Sequence, residues 1–292
     1  MALGAYFLAG TVCFAGNVSA AGSDLTRDGF FLGVGADFNS VNLTQNSWGE
    51  GISNILTSTG ANSNGIGQGD GAPFHPVTNV FGPSFQVGYF KHIAGTPNLL
   101  GVKFFYQYLD ATATNSNLYI PQLGQSTSAN TGVTSPLYGY VNAASVQPTT
   151  RQDVALLLFA GHSFGNASLY IGAGPSLVNL KSQNYNSIGY AVVDGATINV
   201  TGLVNYATPS IWAWGGTAQI GATYFFTPSL FIDMSYTYTV TGDNTIKYQQ
   251  TFTNISNLAG VTYTTSGTLY TKNTMSVKNQ SFMLSINKVL DL

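Results

Sequence analysis

Eight segments of this chain alternate apolar residues with small or polar ones, and the links between them are short and long in strict turn. Successive side chains of a strand point to opposite faces, so such a segment has one greasy face and one polar face. In residues 29–42, Phe30, Leu32, Val34, Ala36 and Phe38 share one face, and Gly33, Gly35, Asp37 and Asn39 the other. The same reading holds over 80–92, 99–110, 151–164, 168–181, 210–226, 229–240 and 280–292. Short links fall around Gly95-Thr96-Pro97-Asn98, Gly165-Asn166-Ala167 and Thr227-Pro228, and long ones over 43–79, 111–150, 182–209 and 241–279.

The polar faces hold Gly, Ser, Thr and Gln rather than charges. Only 7% of residues are charged, against about 25% in an ordinary soluble domain. A secreted β-sandwich buries its apolar face in a core and charges the other, which this chain does not do. After Ala21 no run of about 20 apolar residues could form a spanning helix. The remaining way to set greasy strands in a bilayer is to close their backbone hydrogen bonds on one another.

The expectation is an all-β protein, a closed antiparallel transmembrane β-barrel of eight strands with four long extracellular loops and three short periplasmic turns. Both termini then lie in the periplasm. A ten-stranded alternative takes Leu137 to Val141 into a further hairpin. Tyr89, Tyr106, Tyr108, Trp212, Trp214, Tyr236 and Tyr238 lie towards strand ends, where amphipathic rings favour the headgroup level. Residues 1–20 read as a signal peptide ending at the small-x-small site Val18-Ser19-Ala20, and 21–292 as the barrel domain. Cys13 is the single cysteine, so no disulfide is available to the mature chain.

The inward parity collects the polar candidates for a lumen: Asp37, Gln86, Lys103, Gln107, Asp153, Gln219 and Asp233. Buried charges are normally paired. Either Lys103 pairs with Asp37 or Asp233 and the lumen is plugged, or the inward Gly33, Gly35, Gly101, Gly172, Gly174 and Gly221 leave room for a narrow gated pore. His75, His92 and His162 have no metal-ligand spacing, and His92 and His162 read as rim residues. His162 and Ser163 are neighbours that face opposite sides of a strand, and Glu50 lies across the membrane from them. A hydrolytic triad of those three is therefore out of reach. The run Gly65 to Gly71 has no strand-and-helix frame for a phosphate and reads as flexible loop. No catalytic, metal or cofactor site is expected, and a net charge of −2 with no basic run leaves nothing to attract nucleic acid. Within the long links, Asp194-Gly195 suits a hairpin turn, and TFTNISN could pair with VTYTT.

The segments GFFLGVGADF, LYIGAGPSL and GGTAQIGATYFFTPSLFIDMSYTYTV resemble the eight-stranded outer-membrane family of OmpA-type, OmpX-type and opacity-like barrels. The resemblance covers the strands and not the four long links. It implies a multi-pass outer-membrane protein in contact with lipid and lipopolysaccharide. Its loops would serve adhesion, host or phage contact, or envelope structure; the alternative is a small porin-like channel for ions or small, even hydrophobic, solutes. Members often end in Phe, which the barrel-assembly machinery reads. Val289-Leu290-Asp291-Leu292 departs from that pattern, so the implied partnership with that machinery is weaker.

Overall fold

A computed structural model describes residues 28–193, 196–207 and 209–290; the expected signal peptide, Cys13, the Asp194-Gly195 pair and the last two residues lie outside them. The described chain is a succession of strands: β1 (Gly29–Thr57), β2 (Asn62–Asp70), β3 (Val77–His92), β4 (Asn98–Thr112), β5 (Asn115–Ser128), β6 (Thr134–Phe164) and β7 (Ala167–Val193). They continue as β8 (Ala196–Asn199), β9 (Val204–Ala207), β10 (Ile211–Thr227), β11 (Leu230–Thr241), β12 (Asn244–Leu258) and β13 (Val261–Leu290).

Eight of these close a ring in the order β1, β3, β4, β6, β7, β10, β11, β13 and back to β1. Every pairing is antiparallel. The seam between first and last strands is continuous, from Phe30 opposite Leu290 to Thr57 opposite Tyr263. A closed ring has no edge strand, so each strand in it is paired on both sides. Each ring strand carries one of the eight alternating segments of the sequence. Leu137 to Val141 belongs to β6, where it pairs with β5 beyond the ring, so the count is eight and not ten.

The alternation dictates what faces where. Val34, Phe85, Phe104, Leu158, Ile171, Ile220, Met234 and Leu284, one from each ring strand, are exposed on the outside. Leu158 is 71% and Ile171 65% exposed, degrees that water disfavours for large apolar side chains. Among the described residues no helix is long and apolar enough to cross a membrane.

The four long links that join the ring strands are largely paired strand, which takes further the two pairings the sequence offered within them. The strands run on past the ring as a second storey. There β1 pairs with β2, β2 with β5, β5 with β6, β7 with β8 and β9, and β12 with β13. Val193 lies opposite Ala196 across the expected two-residue turn, and Asn254 of TFTNISN lies opposite Thr265 of VTYTT. The stretch Gly65 to Gly71 is mostly strand β2 rather than flexible loop; Gly69 and Gly124 are the positions where neighbouring backbones press so close that a Cβ would collide with Pro121 O and Ile66 O. Ile55, Ile120, Val141, Ala191, Val200 and Leu269 give this storey an apolar core of its own. Side chains bridge β12 to the segment around β8 and β9. Asn254 Nδ2 donates to Asn199 O at 2.9 Å, and Tyr206 stacks on Tyr248 at 4.1 Å between centroids. Burial pushes the Tyr206 hydroxyl above its ordinary pKa, keeping it a donor.

Candidate functional site

The ring interior is built in layers. At the short-turn end Phe31, Phe90, Phe225, Phe231 and Val289 form an apolar plate. Phe225 and Phe231 lie 4.8 Å apart between centroids, and Phe31 meets Phe231 edge-on at 5.5 Å. At the other end Val41, Leu43, Val178, Leu180, Ala213, Met275 and Val277 form a second plate. The polar side chains are enclosed between the two.

Lys103 is 2% exposed and sets its Nζ 3.3 Å from Asp233 Oδ2. It also donates to Tyr170 Oη at 2.9 Å, and Tyr170 donates to Asp233 Oδ1 at 2.8 Å. The ammonium lies 4.7 Å from the centroid of the Tyr170 ring, a cation–π contact. Gln86 Nε2 reaches Asp233 Oδ2 at 3.1 Å and Ser285 Oγ at 2.8 Å. Three strands thus converge on the carboxylate of a fourth. Gln219 donates to Ser235 and Thr237, and Gln107 donates to Ser281.

Asp37 and Asp153 lie nearer the second plate and are fully buried. Asp37 faces Ser84, and Asp153 faces Thr239 and Asn279. Among the described residues neither is in ion-pair contact with a cation. Of the two partners the sequence left open for Lys103, the geometry gives Asp233 and not Asp37.

Inward glycines are not thereby empty space. A Cβ on Gly101 would stand 2.3 Å from the Phe159 ring, and one on Gly221 2.4 Å from Tyr170. At Gly101, Gly172 and Gly221 large side chains of neighbouring strands occupy the space, whereas Gly35 and Gly174 meet neighbouring backbone.

Two further arrangements escaped the sequence reading. On the outer face of the second storey, Lys247, Lys272, Trp48 and Asp70 stand opposite one another across β12, β13, β1 and β2. With Glu50 and Tyr270 they line a cavity of about 430 Å³. At the short-turn mouth, His92 Nε2 lies 2.8 Å from Ser163 Oγ, and His92 Nδ1 lies 2.5 Å from Asp28 Oδ1. His92 is therefore more than a rim residue. His162, by contrast, turns its Nδ1 to Asn98 Oδ1 at 2.8 Å. Inward parity at the end of two strands was the available signal for joining His92 to Ser163. The adjacent His162, which the sequence already set on the opposite face from Ser163, takes no part.

No protein family matches the chain, and no curated protein does. Among solved structures it is similar to the outer-membrane protein OprG from Pseudomonas aeruginosa, at 11% identity and a TM-score of 0.44, covering 92% of this chain and 100% of that one. It is also similar to Ail of Yersinia pestis in complex with the heparin analogue sucrose octasulfate, at 12% identity and a TM-score of 0.29 over 80% of this chain and 98% of that one. The outer-membrane protease OmpT from Escherichia coli aligns at 9% identity and a TM-score of 0.30, over 88% and 97% of the two chains. At such low scores the fold rests on this chain's own strand pairing.

Proposed function

We propose that this chain is an integral outer-membrane β-barrel that acts through its surface, in adhesion or envelope structure, rather than by passing solute through its lumen. Hydrocarbon and the lipid of lipopolysaccharide cover the exposed apolar belt, the short turns face the periplasm, and the second storey stands outside the cell. The observation that carries the reading is the filled interior. A polar layer held by the Lys103–Asp233 pair is closed below by phenylalanines and above by aliphatic side chains. An eight-stranded barrel has an interior just wide enough for side chains to fill it.

The channel alternative is separated by single-channel recording of purified protein in a planar bilayer. The expected trace is silent for the wild type. Stable unitary conductance that changes in Lys103→Ala would overturn the closed-lumen reading.

The surface contact is best served by the groove of the second storey. Lys247 and Lys272 are direct cross-strand partners, and like charges so placed repel. Trp48 and Tyr270 offer flat apolar faces beside them. With Glu50 and Asp70 on the same walls, this chemistry suits an acidic sugar that lays rings on the aromatics, turns hydroxyls to the carboxylates and sets an acid group beside the ammoniums. Binding of a sulfated oligosaccharide to the refolded protein is expected to weaken at least tenfold, on the order of 1.4 kcal/mol, in Lys247→Ala/Lys272→Ala. Equal affinity of the variant and the wild type would remove the groove from the reading.

A further inference from the structure

At the short-turn mouth, beneath the phenylalanine plate, three side chains from separate parts of the chain form one hydrogen-bonded line. Asp28 immediately precedes β1, His92 ends β3, and Ser163 lies one residue from the end of β6. Asp28 Oδ1 accepts from the backbone N–H of His92 at 2.9 Å and lies 2.5 Å from its Nδ1. That double contact fixes the imidazole plane and puts the Nδ1 proton toward the carboxylate. Nε2 is then left as the basic nitrogen, 2.8 Å from Ser163 Oγ. The edge of Phe90 packs against the ring, with centroids 6.4 Å apart. Ser163 and His92 are both partly exposed, so the hydroxyl is held yet reachable from the mouth.

A purely structural use of these residues requires much less. A serine hydroxyl can satisfy itself in water, and a rim histidine needs no carboxylate behind it. An acid that orients a base, and a base in reach of a hydroxyl, is the geometry that activates a serine. A second hydroxyl, that of Ser168, lies 2.9 Å from Ser163 Oγ and is 3% exposed. Its O–H stands beside the attacking oxygen and is able to donate to an oxygen on which negative charge develops.

We propose that Ser163, His92 and Asp28 constitute an acyl-transfer site at the short-turn mouth of the barrel, acting on small carboxylic esters that reach it from that side. Ser163 Oγ attacks the ester carbonyl carbon as its proton passes to His92 Nε2. The tetrahedral adduct collapses, the bond from carbon to the alcohol oxygen breaks, and His92 returns the proton to the departing alcohol. An acyl group remains on Ser163. Water, giving a proton to His92 Nε2, then attacks that acyl carbon; the bond to Ser163 Oγ breaks as His92 returns the proton to that oxygen, and the carboxylic acid leaves. Ester and water give acid and alcohol, and no other reactant is consumed. Ser163 and His92 are the catalytic residues, and Asp28 is a positioning residue that holds the tautomer.

The test uses the full folded barrel in detergent, with folding verified for each protein by the gel shift between boiled and unboiled samples. The probe is a biotinylated alkyl fluorophosphonate, with p-nitrophenyl acetate as a chromogenic ester. Mass spectrometry is expected to place the phosphonyl adduct on Ser163 of folded wild type and not on boiled protein. Ester hydrolysis and labelling are expected to fall about 100-fold or more in His92→Gln, the low end of what a general base supplies, and to vanish at this site in Ser163→Ala. Asp28→Asn is expected to lower the maximal rate and alter its pH profile while leaving KM for the ester close to wild type. Folded wild type without an adduct on Ser163 would overturn the site. Labelling of His92→Gln at the wild-type rate would do the same. Either result would leave the three residues as a hydrogen-bonded latch across the mouth.

Discussion

Lys103→Met is expected to destabilise the folded barrel by about 3–5 kcal/mol, the range seen when one partner of a buried pair is removed. The magnitude follows from what stays behind. Asp233 is 2% exposed and would keep Gln86 and Tyr170 as donors but lose its cation. A buried carboxylate without a counter-charge either takes up a proton or unfolds the layer around it. Tyr170 would lose its contact with the ammonium as well. The double variant Lys103→Met/Asp233→Asn removes both charges and is expected to recover most of the loss, because neither ion is then stranded. Urea unfolding in lipid vesicles, followed by tryptophan fluorescence, measures all three proteins. Additive losses in the double variant would mean that the pair contributes no mutual attraction, and that the lumen is wet enough to solvate each ion alone. Asp37→Asn and Asp153→Asn provide the contrast. Among the described residues neither is in ion-pair contact with a cation, so their amides are expected to leave stability unchanged or higher.

Strand existence and facing were legible in the sequence, because a period of two is a direct imprint of the pleat. Parity alone placed Asp37, Lys103, Asp153 and Asp233 inside. It could not select Asp233 over Asp37 for Lys103. Parity says which face a residue occupies, whereas meeting across a ring depends on the stagger of strands that are not neighbours. Lys103 on β4 and Asp233 on β11 are brought to one level by that stagger, while Asp37 sits nearer the aliphatic plate. The same limit hid the line from Asp28 through His92 to Ser163, whose members are close only once the ring has closed.

Apart from its two hairpins, the second storey escaped the sequence for another reason. Residues 43–57 keep their alternation, but with Gln45, Ser47 and Ser53 turned inward among glycines, so the apolar contrast that marks a strand fades. Gly65 to Gly71 has almost no contrast, and its strand is imposed by β1 on one side and β5 on the other. Tertiary pairing overrides weak local preference in such stretches. The inward glycines carried a third ambiguity. A missing side chain can mean empty space or space filled from next door, and at Gly101 the space is filled by Phe159.

Ile220→Arg is expected to lower the stability of the barrel in phospholipid vesicles by about 2–4 kcal/mol, the range for a cation near the bilayer midplane. Ile220 lies on β10 opposite Ile171 on one side and Tyr236 on the other, with 58% of its surface exposed. It sits between Trp214 towards one end of the strand and Tyr224 towards the other, so an arginine there is far from either headgroup region. In water the same substitution at an exposed strand position would matter little, within about 0.5 kcal/mol. The penalty therefore reports the solvent and not the fold. Lys288, outward on β13 near the short-turn rim, reaches the interface with its flexible stem. Moving the arginine to the neighbouring rim position, as Leu230→Arg opposite Lys288, is expected to cost no more than about 1 kcal/mol. The difference between the two sites is the measurement that matters, taken from urea midpoints at matched lipid. Equal penalties at Ile220 and Leu230 would mean that the belt does not sit in hydrocarbon. The exposed Val34, Leu158 and Ile171 would then have to be covered by another protein.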